Sequence, residues 1–568
     1  MMTDLNAKPF KLTQDQQEEI KKMVNNMTVE EKIGQLFFVI GQDEDTVNIS
    51  DFITKYQPGG MMYRADTAKK IKREMQVAQS AAKVPMFMSA NLESGGNGLI
   101  SEGTWVGMPL QMAATDDTGS AYQLGYIAGS EAEMVGGNMS FSPIVDIDNN
   151  FHNPIMNTRT FGSDAERILR MSRAQIKGLQ AANITPVAKH FPGDGVDERD
   201  QHLVSSINSL SADEWMSTYG EIYKQLIDDG VSSIMIAHIL QPAWERKLKP
   251  TITDNELRPA SSSSLLVDGL LRHVLGFNGL TITDATPMLG YNVALSRDEL
   301  LPATINAGID MILFNKNIDE DYNIIRQAVA SGVITHERLD EAVLRIIGTK
   351  VSEGLMDVNK KLLKEPSEEL NVPVIAHQET AREIAKKSVT LVKDRDQLLP
   401  MTPKKYPCIR LVVLGDSDDG GFKEGGQVTD KFKNKLETMG FEVQLFNHKQ
   451  LDFHEVFEEG VEDLQQKFDL ALYVANVETA SNQTTTRLDW IHLMAADAPW
   501  FMKSIPTIFV STANPYHLFD IPNVSTFINA YTGNDASIDA VLRKISGQED
   551  FEGINPVDPF VGDFTTRL

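Results

Sequence analysis

The 568-residue chain has one cysteine, Cys408. No intrachain disulfide is therefore available, nor a multi-cysteine zinc or iron–sulfur site. No run reaches the roughly 18 apolar residues of a membrane-crossing helix; stretches such as Leu36–Ile40 are strand-sized. The opening MMTDLNAKPFKLTQDQQEE lacks the apolar region of a secretory signal, so the expected location is cytoplasmic. Basic residues are also short: 53 Lys and Arg stand against 79 Asp and Glu, a net charge of −26. Tracking nucleic-acid phosphates or docking on anionic lipid needs a concentrated basic face, so neither nucleic acid nor membrane is expected as a partner.

What is present is ordinary globular composition, 42% hydrophobic and 23% charged, in a chain too long for one core. Two or three domains are expected. Eight short apolar runs alternate with helix-length amphipathic segments through the first 350 residues: GQLFFVIG, GGMMYR, VPMFMSA, MSFSPIVDID, ITPVAKHF, SSIMIAHI, GLTITDA and DMILF. Short runs, apolar on both faces, read as buried parallel strands. Capping boxes at Thr28/Glu31, Ser163/Glu166, Ser211/Glu214 and Ser296/Glu299 mark helix starts between them. The pattern predicts a (β/α)8 TIM-like barrel over residues 1–350, although a doubly wound sheet gives a similar string. A charged stretch with KKLLKEPSEE opens a linker, 351–388. Residues 389–568 read as a smaller three-layer αβα sandwich, with strands at 409–415, 442–447, 470–476, 506–514 and 524–531.

Five of the eight barrel runs end in polar groups: Asn91 and Glu93, Asp146 and Asp148, Lys189 and His190, His238, and Asp284. The carboxyl ends of barrel strands face the active site, so five such endings on one face predict a site. The most informative stretch is Lys189-His-Phe-Pro-Gly-Asp-Gly-Val-Asp-Glu-Arg-Asp200-Gln-His202. Its Pro and Gly residues let a loop turn back across the barrel mouth. On an extended segment Asp200 and His202 point the same way, and a carboxylate beside an imidazole makes a tunable acid/base. A solvated charged loop is the competing reading. Asp284, directly after an apolar run, sits where a barrel presents a nucleophile, or else it caps the next helix. Arg159 can fork two hydrogen bonds to a substrate, or form a salt bridge with a nearby aspartate. His152, His190, His202 and His238 lack the spacing of a metal motif. Gly415-Asp-Ser-Asp-Asp-Gly-Gly lacks phosphate-loop spacing and reads as a turn, and no G-x-S-x-G elbow is present.

Taken together, Lys189-His190-Phe-Pro-Gly, Asp200-x-His202, Arg159-Thr-Phe-Gly162 and Ile282-Thr-Asp284-x-x-x-Met288 resemble glycoside hydrolase family 3, and within it the β-N-acetylglucosaminidase branch. Met27-Thr-Val-Glu-Glu-Lys-Ile-Gly-Gln-Leu36, Pro58-Gly-Gly60 and Ala307-Gly-Ile-Asp-Met311 support this. Ser388-Val-Thr-Leu-Val-Lys393 with Leu398-Leu-Pro400 resembles the start of that family's second domain. The resemblance implies a retaining exo-glycosidase acting on a terminal β-linked N-acetylhexosaminide, GlcNAc first, without metal or organic cofactor. It makes Asp284 the nucleophile and His202 the acid/base oriented by Asp200. Lys189, His190, Arg159, Glu93 and Asn91 become substrate-binding residues. Two positions depart from the branch pattern. D-[QH]-E-G-G-R-V appears as Asn91-Leu-Glu-Ser-Gly-Gly96, and Gly-His-Gly as Gly193-Asp194-Gly195. A histidine in place of the usual second carboxylate also opens the intermediate to phosphate, which makes a phosphorylase one alternative. A β-glucosidase or β-xylosidase of the same family is another, and a catalytically inactive carbohydrate-binding protein a third. In the second half, His517 and Glu478 are the residues to inspect.

Overall fold

The computed structural model describes residues 3–41, 46–357, 359, 361–362, 370–416, 428–446, 458–491 and 496–568. The chain divides into two compact units. The first comprises Met1–Val106, Ala121–Asn150 and Ala165–Gln378; the second comprises Gly107–Ser120, Phe151–Asp164 and Glu379–Leu568.

The first unit is the expected barrel. Its strands are β1 (Phe37–Ile40), β2 (Gly60–Met62), β3 (Phe87–Ala90), β4 (Met139–Ser140), β5 (Thr185–Phe191), β6 (Ser233–Ile236), β7 (Leu280–Thr283) and β8 (Ile312–Leu313). They are hydrogen-bonded in the order β8-β1-β2-β3-β4-β5-β6-β7, all parallel. A parallel bridge between Ile282 and Met311 brings the two ends together, so the ring is nearly closed. Each of the eight apolar runs supplies one strand. β5 is buried along all seven residues and β7 along all four, because sheet neighbours and surrounding helices cover both faces. No helix among the described residues is long and apolar enough to cross a membrane.

The helix-start signals fare unevenly. Thr28/Glu31 and Ser211/Glu214 close as full capping boxes. Ser296 bonds the Glu299 carboxylate at 2.8 Å but accepts no helix N–H. The helix after Ser163 begins at Ala165, so Asp164 rather than Ser163 flanks its first residue.

The second unit holds a six-stranded sheet: β9 (Thr390–Asp394), β10 (Cys408–Leu414), β11 (Glu442–Leu445), β12 (Leu470–Ala475), β13 (Thr507–Ser511) and β14 (Thr526–Asn529). The order is β9-β14-β13-β12-β10-β11, parallel except for the antiparallel β9–β14 pair. Side-chain alternation makes it three-layered. Along β12, Leu470, Leu472 and Val474 pack into one core with Phe432, Leu436 and Val541. Ala471, Tyr473 and Ala475 pack into another with Leu464, Phe501 and Leu518. Five of the strands match the sequence expectation, and β9 adds a sixth.

Within the segment read as a linker, residues 363–369 lie outside the described residues, as do 417–421 of the Gly415 turn. The segment is also more ordered than a linker, since its last 14 residues form the helix Ile375–Ser388. Alanine, glutamate and lysine are good helix formers, and Ala381, Ile384 and Ala385 bury one face. Asp416 accepts the Val428 and Thr429 N–H groups at 3.2 and 2.9 Å. A carboxylate therefore occupies the helix start after the Gly415 turn.

Candidate active site

The polar endings of the barrel runs converge. On β5, Lys189 Nζ donates to Glu93 Oε1 at 2.7 Å and to Asn91 Oδ1 at 3.3 Å, both from the loop after β3. All three residues are sequence-predicted, and they form one cluster. Lys189 and Glu93 are buried and of opposite charge type, so each offsets the cost of burying the other.

His190 points its Nδ1 at Asp146 Oδ2, 2.6 Å away. The fully buried Asp146 carboxylate also accepts the backbone N–H groups of His190 and Asp194, at 3.2 and 2.8 Å. It thus fixes the ring of His190 and the first turn of the loop that follows. Asp146 is one of the polar strand endings that predict the site, but its sequence context assigns it no role. Its partner lies 44 residues away, and only the fold joins them.

The loop leaves β5 through Gly193 and Gly195, whose φ angles of 121° and 97° belong to the left-handed region. A side chain at Gly193 would strike the Tyr219 ring, and one at Gly195 the Ile147 carbonyl, so the chain passes tightly beneath the barrel mouth. Asp197 pins the outgoing limb, accepting from Arg199 and from the Ile207 N–H at 2.9 Å. Asp200 and His202 do pair, but not along an extended segment. The chain makes a turn, with the Leu203 and Val204 N–H groups donating to Asp200 O at 3.0 and 3.1 Å. Within it the buried Asp200 Oδ1 accepts the His202 N–H at 2.8 Å and its Nδ1–H at 2.6 Å. An ionised carboxylate only accepts, so the hydrogen on the shared side belongs to Nδ1. That leaves Nε2 as the nitrogen able to exchange a proton.

Asp284 follows β7 directly. Its N–H donates to Ile236 O at 2.8 Å, and its Oδ1 accepts the next residue's N–H at 2.7 Å. It caps no helix, because the next one is Leu289–Asn292 with Met288 at its cap. Its Oδ2 accepts Gln201 Nε2 at 3.3 Å, and Gln201 Oε1 in turn accepts the His238 N–H at 2.8 Å. Gln201 therefore fastens the Asp200–His202 turn to Asp284. Sequence reasoning missed it because a glutamine between two stronger groups carries no signal of its own.

Burial by itself would push the Asp284 carboxyl up. The charges of His190 and His202, with the Ala285 N–H, outweigh it and hold the group below the usual carboxylate range. Burial pushes His238 down to about 4. Its Nδ1 meets Ser261 Oγ at 2.8 Å and its Nε2 meets Ala285 O at 3.1 Å, so it braces the strand end as a neutral ring. The result is an ionised carboxylate with electrostatic links to two histidines, His190 and His202, each held by its own buried aspartate.

The remaining expectations fall elsewhere. Arg159 belongs to the second unit, in the turn Asn157–Arg159, and its guanidinium donates to Ile155 O at 3.2 Å. His517 is buried with both ring nitrogens engaged, Nδ1 near Ser511 Oγ and Nε2 near Thr486 O, each at 3.1 Å. That is packing. Glu478 lies half-buried just past β12. Among the described residues, no cluster of three or more His, Cys, Asp or Glu has the arrangement of a metal shell.

Residues 28–349 match the model of the glycosyl hydrolase family 3 N terminal domain. A beta-N-acetylglucosaminidase/beta-glucosidase of Cellulomonas fimi is 40% identical over 569 residues, covering 100% of both chains. Beta-hexosaminidase A of Pseudoalteromonas piscicida is 27% identical over 62% of each chain. Among solved structures, a beta-glucoside phosphorylase, BglX, superposes with a TM-score of 0.91 at 42% identity over 99% of both chains. A family 3 beta-N-acetylglucosaminidase from Paenibacillus shares the fold, with a TM-score of 0.78 at 24% identity.

Proposed function

The chain belongs to glycosyl hydrolase family 3, and from that premise we propose that it is a retaining exo-glycosidase that removes terminal β-linked GlcNAc and also accepts β-glucosides. The observation that carries this reading is the pairing of an ionised, buried Asp284 with a His202–Asp200 dyad docked to it through Gln201. Asp284 attacks the anomeric carbon while His202 Nε2 gives its proton to the departing glycosidic oxygen. The bond to the aglycone breaks and a glycosyl ester forms on Asp284. Water then attacks the same carbon, His202 Nε2 takes its proton, and the ester is released with the original anomeric configuration. Asp200 steadies the imidazolium of the first step and the neutral ring of the second. Lys189, Glu93, Asn91 and the Asp146-held His190 bind hydroxyls of the terminal sugar. The two relatives at 40% and 42% identity support the sugar choice, one through the GlcNAc and glucose in its name and the other through β-glucosides.

A second reading concerns the acceptor. The dyad's negative charge sits on Asp200, an imidazole ring's width behind the proton-transferring nitrogen. An incoming phosphate therefore meets less repulsion than beside a catalytic carboxylate. The high-coverage neighbour described as a phosphorylase supports the same reading. Hydrolysis of p-nitrophenyl β-glycosides of GlcNAc, GalNAc, glucose and xylose, with and without phosphate, tests both. Turnover of the GlcNAc and glucose compounds is expected, with sugar 1-phosphate forming in the phosphate arm. Free sugar alone at every phosphate concentration would remove the phosphorylase reading, and xylose or GalNAc preference the sugar assignment.

A further inference from the structure

The loops that hold the catalytic groups also present bare hydrocarbon. Val204, two residues past His202, is 36% exposed; Leu289 and Val293, just beyond Asp284, are 48% and 54% exposed. The two segments are joined. The Leu289 N–H donates to His202 O and the Gly290 N–H to Gln201 O, both at 3.1 Å. A side chain on Gly290 would meet the carbonyls of Gln201 and Val204, so the short helix Leu289–Asn292 lies in backbone contact with the Asp200–His202 turn. The charged pair of the same loop is already engaged, Arg199 closing on Asp197 at 2.7 Å. One exposed valine needs no account. Three large apolar residues gathered by the segments that carry the acid/base and follow the nucleophile do need one.

We propose that Val204, Leu289 and Val293 form an apolar rim for the leaving group, so that the preferred substrates are glycosides of hydrocarbon alcohols or phenols rather than disaccharides. The inference rests on His202 as the acid/base. That group must reach the glycosidic oxygen to within about 3 Å, so whatever hangs from that oxygen lies beside the turn that holds it. A second sugar there would ask for convergent hydrogen-bonding groups, and Leu289, Val293 and Val204 offer none. A hydrocarbon chain would instead cover surface that is now wet.

The test is kcat/KM for methyl, butyl, hexyl and octyl β-glycosides of the preferred sugar, below micelle concentrations, alongside the matching disaccharide. Full burial of a methylene gives about fourfold, so partial cover over the chain should make the octyl compound about 30-fold better than the methyl one. In the Leu289→Ser/Val293→Ser double variant that ratio should fall to about threefold, with Val204→Thr as an independent single variant lowering it in the same direction. A flat alkyl series in the wild type, an unchanged ratio in the variants, or faster turnover of the disaccharide than of the hexyl glycoside would overturn the rim. So would sedimentation showing that the double variant dissociates an oligomer, since the patch would then face a second copy. The catalytic assignment is read separately: loss of methyl-glycoside turnover in Asp284→Asn supports it whatever the alkyl series shows. No turnover of any glycoside by the wild type would end both.

Discussion

Gln201 separates Asp200 from His202 and, unlike either, bonds Asp284. Its amide stabilises the ionised form of Asp284, so Gln201→Leu should raise the carboxyl's pKa and move the acid limb of the kcat/KM profile to higher pH. The opposite shift, or none, would show that the 3.3 Å contact does not operate in solution. His202→Ala should slow alkyl glycosides by about 10²- to 10⁴-fold and 2,4-dinitrophenyl glycosides far less, because only the former need a proton as they leave. Equal losses on both would assign the acid/base elsewhere. At this scale the legible residues were those whose chemistry is costly to bury without purpose: Lys189, His190, Asp200, His202 and Asp284. Gln201 escaped, and the role of Asp146 stayed hidden, because their partners come from other elements of the barrel. The extended segment expected around Asp200 is a turn because that residue's carbonyl and carboxylate both bond forward along the chain.

Between elements, the barrel is held near the start of β8 by a buried charge cluster. Asp310 lies 3.0 Å from Arg272, 2.8 Å from Arg338 and 3.2 Å from Arg345, the last two on one helix, His336–Ser352. Burial alone would raise the Asp310 carboxyl, but the three guanidinium groups outweigh it and hold it at about 2. A carboxyl whose pKa is lowered in the fold stabilises above its unfolded pKa, near 4. That stability is lost as pH falls from about 4 towards 2. Asp310→Asn should accordingly destabilise the barrel by about 3–5 kcal/mol in urea unfolding at neutral pH, and flatten the loss of stability between pH 4 and 2. A change under about 1 kcal/mol would mean the arginines find other partners. The strands themselves were readable because a buried parallel strand is apolar on both faces, and each of the eight runs stands between helical spacers. β9 was less readable: Thr390–Asp394 is half-buried, mixed in polarity and antiparallel to its neighbour, so no continuous apolar run announces it.

For the molecule as a whole, the order of elements pointed to a barrel followed by a sandwich but fitted a doubly wound sheet as well, and the motifs resembling family 3 favoured the barrel. They did not foresee that residues 107–120 and 151–164, embedded in the barrel sequence, group with the second unit and take Arg159 with them. Such grouping depends on contacts across hundreds of residues and leaves no local pattern. Covalent chemistry at one carboxylate can be trapped by incubating the enzyme with a 2-deoxy-2-fluoro-β-glucoside bearing an activated leaving group. The intact mass and the labelled peptide are then read. A gain of one fluoroglycosyl group is expected, located on Asp284 and absent from the Asp284→Asn variant. An adduct on another residue, or turnover of natural-configuration substrates with inverted anomeric product and no adduct at all, would contradict it.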